Sequence, residues 1–134
     1  MHAVRTCRAG NDERLARLRR ASELTGISSG IVLISLPGHT RGHAAVAVNA
    51  GDHWVLHVGD AFYHRGQVDG SKAPKPWLQI ERVVAHDRRA VQANHERLSE
   101  LWRAADQDLV LVNAHGPDLF AVARAGTGSA EGQR

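Results

Sequence analysis

Four short runs of β-branched and aliphatic residues punctuate the chain: Ile31-Val32-Leu33-Ile34, Ala45-Val46-Ala47-Val48, Trp54-Val55-Leu56-His57-Val58 and Leu109-Val110-Leu111-Val112. Runs of this length, bounded by Gly, Pro, Asn and Asp, read as buried strands. The second and third are joined by Asn49-Ala50-Gly51-Asp52, a turn sequence that makes them a hairpin. Helical spacing appears twice. In residues 11–24, NDERLARLRRASEL, Asn11 and Asp12 can cap a helix whose narrow apolar stripe is Leu15, Leu18 and Ala21 or Leu24. Asp87 can cap a stronger helix running to about Ala105, with Ala90, Val91, Asn94, Leu98, Leu101 and Trp102 on one side. Residues 61–76 show no period and read as a long irregular loop, of a kind that often carries function. The ending GTGSAEGQR is too polar and Gly-rich to pack and is expected to be disordered.

At 134 residues, 43% of them hydrophobic, the chain has room for one domain with a modest aliphatic core. With Cys7 its only cysteine and no long apolar run, it is expected to be a cytoplasmic protein without disulfides or membrane spans. The net charge of +3 is concentrated around Arg14, Arg17, Arg19 and Arg20, but 4% aromatic content leaves little to stack on bases. Nucleic acid is therefore not an expected partner; a solvated helix face accounts for the arginines.

Candidate chemistry sits where strands stop. The first strand runs into Pro37-Gly38-His39, the third into Gly59-Asp60 and the fourth into Ala114-His115. If these strands share a sheet and a direction, the three side chains gather at one edge, where such sheets place ligands. Two imidazoles and a carboxylate suit a divalent ion. Singly each has a plainer reading: a polar loop residue for His39, a turn cap for Asp60, a cap on the following segment for His115.

PGHTRGHAAVAV, followed by WVLHVGDAFYH and then LVNAHG, resembles the consecutive second-half motifs of the metallo-β-lactamase superfamily, over roughly residues 27–120. The resemblance implies an α/β fold, the C-terminal half of an αββα sandwich with helices on one face of a mixed sheet. It implies that His39 is a ligand of one metal, Asp60 a bridge between two and His115 a ligand of the second. His43 would be no ligand but a structural hydrogen-bond donor. Within the superfamily, Asp60-Ala61-Phe62-Tyr63 is similar to the N-acyl homoserine lactone lactonases, with glyoxalase II-like enzymes nearby, and there Tyr63 would stabilise a substrate oxyanion. Gly116 follows His115 where a lactonase-like GHD places Asp.

The superfamily's HxHxDH motif is not found in the sequence, and His53, His57, His64, His86 and His95 lack the spacing to replace it. The resemblance therefore implies an arm and helix over residues 1–26, half a metallo-β-lactamase-like domain over 27–124 and a tail from 125. The expected function is that of a truncated or split metal-dependent hydrolase, cleaving an ester, lactone or thioester of a small-molecule substrate by metal-bound hydroxide and inactive alone. Its ion would be zinc, iron or manganese in an incomplete site. The alternative is a non-catalytic homodimerising module with a vestigial or structural metal site. Either reading leaves a sheet face bare, so a homodimer or a complementary N-terminal half is the expected partner.

Overall fold

A computed structural model describes residues 21–24, 26–28, 30–104 and 108–128. Five strands form one mixed sheet in chain order: β1 (Ala21–Glu23), β2 (Ile31–Ser35), β3 (Ala44–Asn49), β4 (Trp54–His57) and β5 (Leu109–Val112). Neighbours are antiparallel except β4 and β5, which run parallel. A parallel pair needs a long crossover. Here it contains a 3-10 turn at Arg65–Gln67 and two helices, α1 (Lys75–Val84) and α2 (Arg88–Ala104). After β5 comes α3 (Pro117–Gly128). The architecture is α+β and consistent with half of a metallo-β-lactamase sandwich.

The pleat sorts the strand residues. Val32, Ala47, Leu56 and Leu111 are mutual partners across four strands and all are buried, as are Ile34 and Ala45. Leu98 and Leu101 of α2, with Phe62 and Val68 of the crossover, belong to the same core. The opposite row, Ile31, Val48, Val55 and Val110, is only partly covered, with Val48 40% exposed and the neighbouring Leu33 38%. This sheet is thus apolar on both faces but packed on one.

The four expected strands, the hairpin and the helix from Asp87 are present. Both amide groups of Arg89 and Ala90 donate to Asp87 Oδ1 at 3.0 Å, the capping contact the sequence suggests. Three expectations fail. The helix over 11–24 lies mostly outside the described residues, but its end, Ala21–Glu23, is a strand pairing Ala21 with Ile34 and Glu23 with Val32. Satisfying the bare edge of β2 outweighs a weak helical stripe. The loop over 61–76 ends early, in α1, whose start is marked by a proline in the first turn. The tail expected to be disordered from 125 is helical through Gly128, because Leu119 and Ala123 anchor α3 to the core; residues 129–134 lie outside the description.

Candidate metal centre

β2, β4 and β5 all point the same way, so their ends share an edge. At the end of β2 the chain leaves the sheet through Pro37 and returns at His43, closed by the Leu36 N–H donating to His43 O at 2.9 Å. This loop is pinned to the start of α2. Asp87 N–H donates to Gly38 O (2.9 Å), His86 N–H to His39 O (3.1 Å) and Asn94 Nδ2 to Pro37 O (3.0 Å). His39 is thereby held at the edge by backbone contacts on both sides.

Asp60 is positioned by His43. The Asp60 N–H donates to His43 Nε2 at 3.1 Å, so that nitrogen is unprotonated and Nδ1 carries the proton, which it donates to Leu36 O at 3.0 Å. The role of structural donor expected for His43 agrees with this geometry. Gly59 between them has φ +56°, and a Cβ there would fall 2.9 Å from His43 Nε2, so only glycine lets the turn approach the ring. The end of β5 is tied to the same turn: Ala114 N–H donates to Gly59 O (3.0 Å) and Asn113 Nδ2 to Phe62 O (2.9 Å).

His39, Asp60, Tyr63 and His115 come together. Asp60 Oδ2 is 3.4 Å from His39 Nε2, and Oδ1 is 2.9 Å from His115 Nε2. The Tyr63 hydroxyl lies 3.3 Å from His39 Nδ1, its ring 4.9 Å from that of His115, and Trp77 of α1 stands edge-on to Tyr63 at 6.0 Å. Burial, and then the carboxylates of Asp60 and Glu81, push the Tyr63 phenol above its ordinary value, which keeps it a neutral donor at physiological pH. The side chains of Asp60 (34% exposed) and His115 (42%) still reach solvent.

Each carboxylate oxygen faces one imidazole nitrogen. Two donors bound at ~2.1 Å around a tetrahedral ion sit ~3.4 Å apart, and at a right angle ~3.0 Å, so the spacings suit coordination edges on two sides of Asp60. Yet among the described residues no three His, Cys, Asp or Glu side chains converge as a metal-holding group. The two findings agree: a carboxylate that splits its oxygens between two imidazoles offers two protein donors on each side, one short of a catalytic zinc site.

Several contributors escaped the sequence reading. Trp77, Asn113, Gln67 and Glu81 gave no spacing signal, and His95, set aside for lacking ligand spacing, is 8% exposed. A Cβ at Gly116 would meet Asn113 Oδ1, so glycine there leaves room for the Asn113 side chain whose Nδ2 donates to Phe62 O.

The Asp60 carboxylate thus stands between two imidazoles at the strand ends of the mixed sheet. No protein-family model matches the chain. Over 105 residues it is 50% identical to a probable metallo-hydrolase of Mycobacterium bovis and to one of Mycobacterium tuberculosis, a match covering 78% of this chain. Identity of this order supports a metallo-hydrolase family. The chain spans about a third of those relatives' length, 34% of each. A solved structure described as "Indirect contributions of mutations underlie optimization of new enzyme function" aligns with TM-score 0.48 and 18% identity, over 72% of this chain and 34% of that one.

Proposed function

We infer that this chain supplies one side of a two-metal hydrolase site, with His39 and Asp60 as donors to one ion, Asp60 and His115 to the other, and Tyr63 as the hydrogen-bond donor to a substrate oxyanion. The observation that carries the reading is the Asp60 carboxylate with an imidazole Nε2 against each oxygen. A divalent ion there would activate water at neutral pH and polarise a carbonyl. The residues do the rest. His43 holds the backbone that aims Asp60, Tyr63 presents a neutral phenol, and Trp77 walls the site on the side of α1. An ester, lactone or thioester is the substrate class that such an oxyanion donor serves.

With two donors to each side the chain alone is expected to hydrolyse such substrates poorly. Exposed Leu33 and Val48 on the partly covered face support a partner, a complementary segment that carries the remaining donors. Zinc titration against a competing chelator tests the core of the reading. The chain should take up zinc, and His39→Ala and His115→Ala should each weaken binding at least tenfold while the fold is retained. Equal binding by wild type and both variants, or none at micromolar free zinc, sinks it.

A further inference from the structure

The geometry points to Glu81 as a positioning residue for the tyrosine side of this site: through Gln67 it fixes the backbone at Tyr63, and by the same contact it seats the helix that carries Trp77. The helix α1 is inside out. Ile80 (48% exposed), Val83 (80%) and Val84 (47%) face solvent, whereas the buried member is Glu81, at 7%. Apolar burial therefore does not hold α1 in place. A buried carboxylate is costly unless its oxygens are met, so where they point matters.

Glu81 Oε1 accepts from Gln67 Nε2 at 3.0 Å, and Oε2 lies 3.3 Å from His95 Nε2 of α2. A carboxylate only accepts, so it draws the amide nitrogen of Gln67 toward itself and turns Gln67 Oε1 the other way. That oxygen accepts the N–H groups of both Tyr63 (2.7 Å) and His64 (3.0 Å). Were the amide reversed, both backbone donors would face an NH2 group. Trp77 lies one turn before Glu81, on the same side of α1, and stands against both Tyr63 and His115. A cleft of about 690 Å³, lined by Gln67, Glu81 and His95 together with Arg82, Glu96 and Arg103, runs beside this chain of contacts and includes none of His39, Asp60, Tyr63 or His115. Glu81 thus touches none of these four residues and positions the site through Gln67 and α1.

The consequence for hydrolysis rests on the reading of Tyr63 given above, but the positioning is tested without metal or substrate. In the full chain, Glu81→Leu leaves Gln67 Nε2 without its acceptor and Gln67→Glu sets two carboxylates together, so each should cut amide-exchange protection of Tyr63 and His64 at least tenfold and weaken the Tyr63–His115 ring nuclear Overhauser effect. The paired exchange Gln67→Glu with Glu81→Gln restores a donor facing a carboxylate and should restore both signals. Leu98→Ala, a destabilising core truncation, should keep the ring signal. Single variants that retain both signals overturn the proposal. So does an exchanged pair that fails to fold or to restore them, and so does a Leu98→Ala that loses the ring signal to the same degree. Failure of the zinc titration with success here would remove the metal reading and leave the positioning intact.

Discussion

Tyr63 is the chain's one tyrosine, so its ionisation can be followed without interference. Burial disfavours the phenolate, and the carboxylates of Asp60 and Glu81 add like-charge repulsion. Its ultraviolet phenolate transition should therefore come above the ordinary tyrosine value, and Asp60→Asn should bring it down by removing one charge while leaving burial in place. A transition at the ordinary value, or one indifferent to Asp60→Asn, would mean that the phenol is not held against that carboxylate. At this scale the sequence was informative for residues that end strands. His39, Asp60 and His115 could be singled out because each follows an apolar run, and the resemblance added Tyr63. The groups that aim them were not legible. His43 gained its role from a turn at Gly59 that is 16 residues away, and Gln67, Glu81 and His95 meet only because two helices fold across one another.

Among the elements, four of the five strands were read correctly because each is a continuous β-branched and aliphatic run, and Asp87 announced α2 because a cap must sit next to the amides it serves. α1 was not read: Trp77, Ile80 and Val84 fall at helical spacing, but Ile80 and Val84 face solvent and the buried residue is the charged Glu81. β1 was hidden because its partner, β2, lies eight or more residues ahead and contributes nothing to local spacing. The turn before α1 offers a direct test. Burial alone would raise the Asp69 carboxyl, but hydrogen bonds from Ser71 and Arg65 outweigh it and hold it at about 2, against 3.8 for the free group. A depressed carboxyl contributes stability that is whole above the unfolded value and lost as pH falls through the folded one. The difference in melting temperature between the protein and Asp69→Asn should thus be steady above pH of about 4 and shrink toward pH of about 2. A difference that does not change across that window would show that the Arg65 and Ser71 contacts at 2.9 and 2.8 Å do not form in solution.

For the whole molecule, the decisive feature is a sheet apolar on both faces and covered on one. The partly covered row is Ile31, Leu33, Val48, Val55 and Val110, and among the described residues no helix is long and apolar enough to cross a membrane. On the proposed reading the site at the strand ends is incomplete too, since each Asp60 oxygen faces one imidazole and a catalytic ion needs a further protein donor. One added layer would meet both needs if it carried histidine and aspartate at its own loop edge. The mycobacterial relatives, three times as long as the matched stretch, contain sequence enough to form one. Co-expression of this chain with the unmatched part of such a relative should therefore yield a complex that binds zinc more tightly than the chain alone and gains esterase or lactonase turnover. Val48→Lys, which places a charge on the exposed face at the opposite end of the sheet from His39, Asp60 and His115, should abolish the complex while sparing the weak zinc binding of the single chain. A chain that instead sediments as a stable homodimer, loses that state with Val48→Lys and gains nothing from the added segment would assign the face to a second copy and remove the case for a shared active site.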